Sequence, residues 1–84
     1  MTIKLLYFAH LRESLGMTGE EITLPAAIAD VSALRAYLAA RGDSWRVLTE
    51  SQNLRAAVNQ QMVGPQALIA DGDEIAFFPP VTGG

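Results

Sequence analysis

The chain has 84 residues, half of them hydrophobic, with six basic and nine acidic side chains and a formal net charge of −3. This length predicts one small domain with a single core. Because the chain contains no cysteine, disulfides, thiolate metal sites and a cysteine nucleophile are excluded. The acidic balance argues against nucleic acid or an anionic membrane as a partner, because both require basic surface, and it favours a basic protein partner.

The first 24 residues are predicted to form two strands joined by a short helix. Residues 3–9 are rich in β-formers and predict a strand. Alternation places Ile3, Leu5 and Tyr7 on one face of this strand and Lys4, Leu6 and Phe8 on the other. Residues 10–15 predict a short helix or turn that Gly16 ends, and residues 21–24 predict the second strand. The single histidine, His10, cannot form a metal site alone.

The clearest predicted helix begins after Asp30, which is a good N-cap residue. Its apolar stripe consists of Val31, Leu34 and Leu38. Arg41 and Gly42 are expected to end it, as a cation near the carbonyl end and a glycine at the C′ position. Residues 44–48 predict a further helical turn, with Trp45 as a packing anchor.

The second half of the chain is predicted to be mostly strands. The elements expected in order are a strand at 54–58, a turn at 59–61, a short strand near 62–63, a break at 64–65, a tight turn at 71–73 and a strand at 74–78. The whole order is therefore β, β, α, β, short β, β. It predicts an α+β domain of the β-grasp (ubiquitin-like) class over residues 1–78, in which a mixed sheet packs on one main helix. In that topology the first and last strands lie side by side and parallel in the middle of the sheet.

One face of the predicted sheet carries exposed aromatic residues. Lys4 and Glu74 indicate that the face they share is in contact with water. Phe8 and Phe78 lie on the same face of adjacent strands, with Leu6 nearby. Such an apolar patch is typical of a protein interface.

The last six residues, 79–84, are predicted to form a flexible C-terminal tail. Pro79 and Pro80 lack N–H donors and restrict φ, so Pro79, Pro80, Val81 and Thr82 are expected to be extended. Gly83 and Gly84 follow. Glycines have no side chain to obstruct entry into a narrow channel, and the group they would deliver is the α-carboxylate of Gly84. A frayed terminus is the alternative interpretation.

Three stretches resemble the molybdopterin synthase small-subunit (MoaD) family of sulfur carriers. They are DGDEIAFFPPVTGG at 71–84, LLYFAHLRESLG at 5–16 and LRAAVNQ at 54–60. The resemblance implies that an ATP-dependent activating enzyme adenylates Gly84 and that a sulfur donor then converts it to a thiocarboxylate. The thiocarboxylate donates sulfur to cyclic pyranopterin monophosphate and so forms the dithiolene of molybdopterin. The carrier itself is expected to bind no cofactor or metal.

The resemblance also implies partners and residue roles. The partners are the large subunit of the synthase, in a heterotetramer of two small and two large subunits, and the activating enzyme, with the catalytic pocket on the large subunit. Gly83 keeps the end of the tail narrow enough to enter a channel, and the residues from Pro79 to Thr82 hold the tail extended. Phe8 and Phe78 contact the partners. Arg12 pairs with an acidic partner group or, equally, with Glu13 or Glu74 of its own chain.

Three other functions remain open on the residues alone. The chain could carry sulfur for another pathway, such as thiamine thiazole synthesis. It could be a ubiquitin-like modifier that forms an isopeptide bond through Gly84, or an interaction domain with an inert tail. No signal peptide or transmembrane stretch is evident, so the expected location is the cytoplasm.

Overall fold

The computed structural model describes residues 1–51 and 53–80, and in these ranges five strands form one mixed sheet. In chain order the elements are β1 (Thr2–Tyr7), α1 (His10–Leu15), β2 (Gly19–Thr23), α2 (Val31–Ala39), a 3₁₀ turn (Asp43–Arg46), α3 (Val47–Glu50), β3 (Arg55–Val58), β4 (Gln61–Val63) and β5 (Glu74–Phe78). The strand order is β2-β1-β5-β3-β4. Strands β1 and β5 are adjacent and parallel, and the other pairs are antiparallel. The predicted β-grasp fold is confirmed. No helix in these ranges is long and apolar enough to cross a membrane.

The core lies between one face of the sheet and α2. The predicted inward faces of the two central strands are confirmed, since Ile3, Leu5, Tyr7, Ile75 and Phe77 are all buried. From α2 the core receives the predicted stripe of Val31, Leu34 and Leu38. The spacing of three and four residues keeps this stripe on one side of the helix, so the opposite face of the sheet remains uncovered by α2.

The N-terminal end of α2 agrees with the prediction, and the C-terminal end does not. Asp30 is the N-cap as expected, and its side chain accepts a hydrogen bond from the backbone N–H of Ala33 at 2.7 Å. The expected C′ glycine was wrong: the helix ends at Ala39, Ala40 is the right-handed C-cap, and Gly42 lies one residue beyond C′ with φ 156°. The last turn closes through backbone hydrogen bonds from Ala40 to Ala36 and from Arg41 to Leu38. The Arg41 side chain, two residues beyond the helix, binds Glu20 of β2.

Strand β2 begins two residues earlier than predicted, at Gly19. Gly19 lies opposite Leu6 of β1. A β-carbon at Gly19 would lie 2.5 Å from the carbonyl oxygen of Leu5, so only glycine permits the two backbones to approach this closely. The strand prediction missed this start because glycine is a weak β-former.

The predicted packing role of Trp45 is confirmed. Its ring meets the ring of Tyr7 edge-on at 5.7 Å between centroids, and the guanidinium of Arg41 lies 4.6 Å from its ring centre. The Tyr7 hydroxyl donates to Glu20 at 3.0 Å, and Glu20 also binds Arg41 at 2.7 Å. Burial, followed by the charge of Glu20, raises the pKa of Tyr7 well above its usual range. The contacts among Tyr7, Glu20, Arg41 and Trp45 connect β1, β2 and the segment that follows α2.

The hairpin between β3 and β4 is tighter than predicted. Asn59 and Gln60 alone form the turn, with φ of 51° and 71°, and Gln61 already belongs to β4. The Asn59 side chain donates to Asp73 at 2.9 Å and accepts from the backbone N–H of Glu74 at 3.0 Å. These bonds attach the hairpin to the start of β5, so the turn helps to set the register of the sheet.

Candidate partner-binding face

The face of the sheet opposite α2, here called the outer face, is organised in three rows. The strand registers define them. The upper row lies where β1 and β5 end and contains Phe8, Phe78 and Arg55. The middle row crosses four strands and contains Leu6, Ala76, Ala57 and Met62. The lower row contains Glu21, Lys4 and Glu74. The apolar members of the upper and middle rows form one continuous surface, called the apolar patch below.

The structure brings together the three aromatic and aliphatic residues predicted for an interface. Phe8 is 46% exposed, while Leu6 and Phe78 are half-buried. Phe8 and Phe78 lie side by side because they follow Tyr7 and Phe77, which are register partners in the parallel pair. Their predicted position on the outer face is confirmed, and their contact with a partner stays a prediction.

Sequence reasoning did not assign Met62 and Ala57 to the apolar patch. Met62 is 67% exposed and lies opposite Ala57. Ala57 is only 7% exposed although it lies on the outer face, because a methyl group between longer neighbours is shielded from water. The two-residue turn could have revealed Met62, since it fixes which residue of β4 pairs with Ala57.

The tail begins at the upper edge of this face. Strand β5 is the middle strand of the sheet, and Pro79 and Pro80 follow its last residue and are half-buried. The predicted functional residues Val81, Thr82, Gly83 and Gly84 lie outside the described residues. Pro79 and Pro80, the first residues of the predicted tail, therefore follow directly on the upper row of the outer face.

Arg12 lies on the exposed side of α1. Within residues 1–51 and 53–80, ion pairs join Arg41 to Glu20 and Arg46 to Glu50, and none includes Arg12. The intramolecular alternatives for Arg12 thus receive no support from the structure. Its pairing with an acidic partner group stays a prediction.

The corner between β1 and α1 contains a strained residue that sequence reasoning did not identify. Ala9 has φ 56° and ψ −136°, a conformation that residues other than glycine rarely adopt. Hydrogen bonds hold the chain on both sides of it: Phe8 donates its N–H to the carbonyl of Phe77, and Leu11 donates to the carbonyl of Phe8. This sharp corner leaves Phe8 on the outer face and returns the chain to the core at Leu11 within three residues.

A substitution that removes the backbone strain at Ala9 is expected to increase the free energy of unfolding. Replacement Ala9→Gly is expected to raise the free energy of unfolding by about 1 kcal/mol, because the strain exceeds the extra chain entropy of glycine. Replacement Ala9→Val is expected to lower it, because a β-branched side chain is less tolerant of positive φ. Urea unfolding of the three proteins gives both values, and a less stable Ala9→Gly variant would contradict the strain.

Comparison with known proteins agrees with this geometry. The sequence profile of the ThiS family matches residues 5–84. The chain belongs to the ThiS family. Within it, the chain is 48% identical over 82 residues to the molybdopterin synthase sulfur carrier subunit of Escherichia coli, covering 98% of this chain and 99% of that protein. The family resemblance predicted from the residues is confirmed.

Solved structures of similar proteins agree on the fold. The structure described as putative molybdopterin converting factor subunit 1 of Pyrococcus furiosus superposes with a TM-score of 0.79 at 30% identity, covering 96% of this chain and 99% of that chain. A chain in the complex of subunits 1 and 2 of the molybdopterin-converting factor of Helicobacter pylori superposes with a TM-score of 0.68 at 22% identity, with full coverage of both chains. The latter likeness shows the fold alone.

Proposed function

We propose that this chain is the sulfur carrier and small subunit of molybdopterin synthase. The observation that carries the proposal is its 48% identity, over nearly the full length of both proteins, to a protein of that name. The geometry supports it: the central strand β5 leads directly into the tail, and the tail begins beside an exposed apolar patch. Residues 1–78 would form the body that partners bind, and residues 79–84 the tail that carries the reactive group.

The proposed chemistry explains why the tail needs activation. The Gly84 carboxylate is a poor electrophile, because substitution would have to expel oxide. Reaction with ATP on the activating enzyme forms an acyl-adenylate and releases pyrophosphate, so that AMP becomes the leaving group. Sulfur at the oxidation level of sulfide then displaces AMP from the acyl carbon and leaves a thiocarboxylate. This group is a soft nucleophile carried by the backbone itself. Its sulfur bonds to cyclic pyranopterin monophosphate, and water then cleaves the bond between that sulfur and the Gly84 acyl carbon, so that the sulfur stays on the pterin and the tail is released as the carboxylate.

Two partners follow from this chemistry. The activating enzyme supplies ATP chemistry, and the large subunit supplies the acid–base groups and the pocket for the pterin, in an assembly of two small and two large subunits. The 48% identity to a protein named as a subunit of molybdopterin synthase supports another subunit of that enzyme as a partner. The extended residues from Pro79 to Thr82 would pair their backbone groups with either partner. The proposed location is the cytoplasm, where ATP for the activation step is present.

Mass analysis of the intact protein from its native host tests the proposal. Exchange of one carboxylate oxygen for sulfur has the same nominal mass change as one methionine oxidation, and Met1, Met17 and Met62 could all oxidise. Fragmentation must therefore place the change. A sulfur atom located on Gly84 would establish that the protein is a sulfur carrier. A Gly84 that stays unmodified after incubation with ATP, the activating enzyme and a sulfur source would contradict the proposed function.

Genetic and gel experiments separate the remaining functions. Rescue of a molybdenum-cofactor defect, without rescue of a thiamine defect, identifies the pathway that receives the sulfur. Higher-mass adducts on a denaturing gel would instead indicate a protein modifier. A tail that reacts with neither ATP nor an activating enzyme would indicate an interaction domain.

Replacement Phe78→Ala tests the role of the apolar patch. It is expected to weaken binding to the large subunit or to the activating enzyme by about 1–3 kcal/mol, the range of an interface hot spot. Tyr37→Ala is a matched control, because Tyr37 is also a partly exposed aromatic residue, at 38%, but lies on α2. Calorimetric titration of each variant measures the loss, and unchanged affinity of Phe78→Ala for both partners would contradict the interface.

A further inference from the structure

Arg55 lies at the border of the apolar patch with no acidic neighbour in the rows around it. In the register of the sheet it is opposite Phe78, and Ala57 follows it on the same face of β3. The diagonal neighbours on the adjacent strands are Ala76 and Met62. Direct partners lie about 5 Å apart and diagonal ones about 7–8 Å apart, which is within reach of long side chains. Every near neighbour of this exposed cation in the rows is therefore apolar.

The other cation of the outer face has a different environment. Lys4 lies between Glu21 on β2 and Glu74 on β5 in the registers of the two strand pairs. The lower row thus alternates negative, positive, negative, and Lys4 has a carboxylate residue on each side of it. Arg55 has no carboxylate beside it in the rows. The ion pairs found in residues 1–51 and 53–80 include neither Lys4 nor Arg55, so the two cations differ in the residues that flank them.

A partner that covers Phe78 must also remove water from around Arg55. Burial of a guanidinium without an opposite charge is unfavourable, because its lost hydration is not replaced. A carboxylate removes this cost, because its two oxygens can accept a pair of parallel hydrogen bonds from the planar guanidinium. The chemistry that fits this corner of the outer face is therefore an Asp or Glu side chain beside an apolar surface.

We propose that Arg55 is a specificity-determining residue that selects, as receiver of the tail, a partner with a carboxylate beside the apolar surface that contacts Phe78. The inference rests on the proposed function, since the partner is the large subunit that takes the tail. The net charge of −3 favours a partner that is basic overall. An acidic group at one defined place on such a surface distinguishes the correct partner from other basic proteins, which would leave Arg55 buried and unpaired.

Affinity measurements on charge-reversal variants test the proposal. Arg55→Glu is expected to weaken binding of the full chain to the large subunit by at least about thirtyfold, because two carboxylates would then face each other. Arg46→Glu is the matched control with the same charge change: Arg46 lies in the 3₁₀ turn after α2, and its side chain is 63% exposed. This control is expected to change Kd by no more than about twofold. Equal losses in both variants would reveal a net-charge effect and overturn the proposal.

Two further variants separate charge from shape. Arg55→Leu is expected to weaken binding, because the carboxylate of the partner would then lose its hydration at the interface without gaining an ion pair. Arg55→Lys, which keeps the charge, is expected to retain more affinity than Arg55→Leu. Unchanged affinity of Arg55→Leu would overturn the proposal.

The same titrations distinguish failure of the inference from failure of the proposed function. If the wild-type chain neither binds the large subunit nor transfers sulfur with it, the proposed function is wrong and the inference is wrong with it. If the wild type binds the large subunit and transfers sulfur, and Arg55→Glu binds with the same Kd, only the proposed role of Arg55 is wrong.

Discussion

A variant with one residue added after Gly84 is expected to lose sulfur transfer completely while it keeps its fold. The added residue turns the Gly84 carboxylate into an amide, which ATP cannot adenylate, and moves the new carboxylate beyond the glycine pair. The body of the protein is unaffected, because the core residues of β5 end at Phe77. Production of molybdopterin from cyclic pyranopterin monophosphate, with the large subunit and the activating system present, measures the effect.

The controls separate loss of chemistry from loss of structure. The extended variant is expected to have the Tm of the wild type. Thiocarboxylate formation is expected to be absent by mass analysis, which locates the defect at activation rather than at transfer. Synthase activity that persists in the extended variant would show that Gly84 is not the sulfur-bearing residue.

Replacement Phe77→Ala is expected to remove much of the stability of the domain. Phe77 is completely buried in the middle strand of the sheet, and truncation of such a residue costs about 3–5 kcal/mol. A chain of this length is expected to have a total stability of only roughly 4–13 kcal/mol. The corresponding fall in Tm is roughly 12–40 °C, and thermal unfolding followed by circular dichroism measures it.

The neighbouring residue provides a comparison within the same strand. Phe78 lies on the outer face and is half-buried, so Phe78→Ala is expected to cost only about 1 kcal/mol of stability. The two variants remove the same side chain at adjacent positions and differ only in the face of the sheet. Similar losses of stability in both would contradict the assignment of the two faces.

Local patterns in the chain were sufficient for most of the fold. The alternation in β1 and β5, the stripe of α2, the Asp30 N-cap and the left-handed Gly16 after α1 were all predicted correctly. Each depends on residues close together in the chain, where side-chain period and capping chemistry act directly. The errors fell at element ends, at Gly42 and at the start of β2, and at the latter a distant contact competes with the local preference.

The sequence by itself determined the class of fold, the family and the candidate reactive tip at Gly84, because periodicity and motif are properties of short segments. Only the tertiary structure decided which further side chains join Leu6, Phe8 and Phe78 on the outer face. Met62 joins Ala57, and Arg55 is left among apolar neighbours, because strand order and register place β4 and β5 on either side of β3. The link of Glu20 to Tyr7 and Arg41 has the same origin. These contacts join residues far apart in the chain, whose proximity depends on how the whole sheet packs against α2.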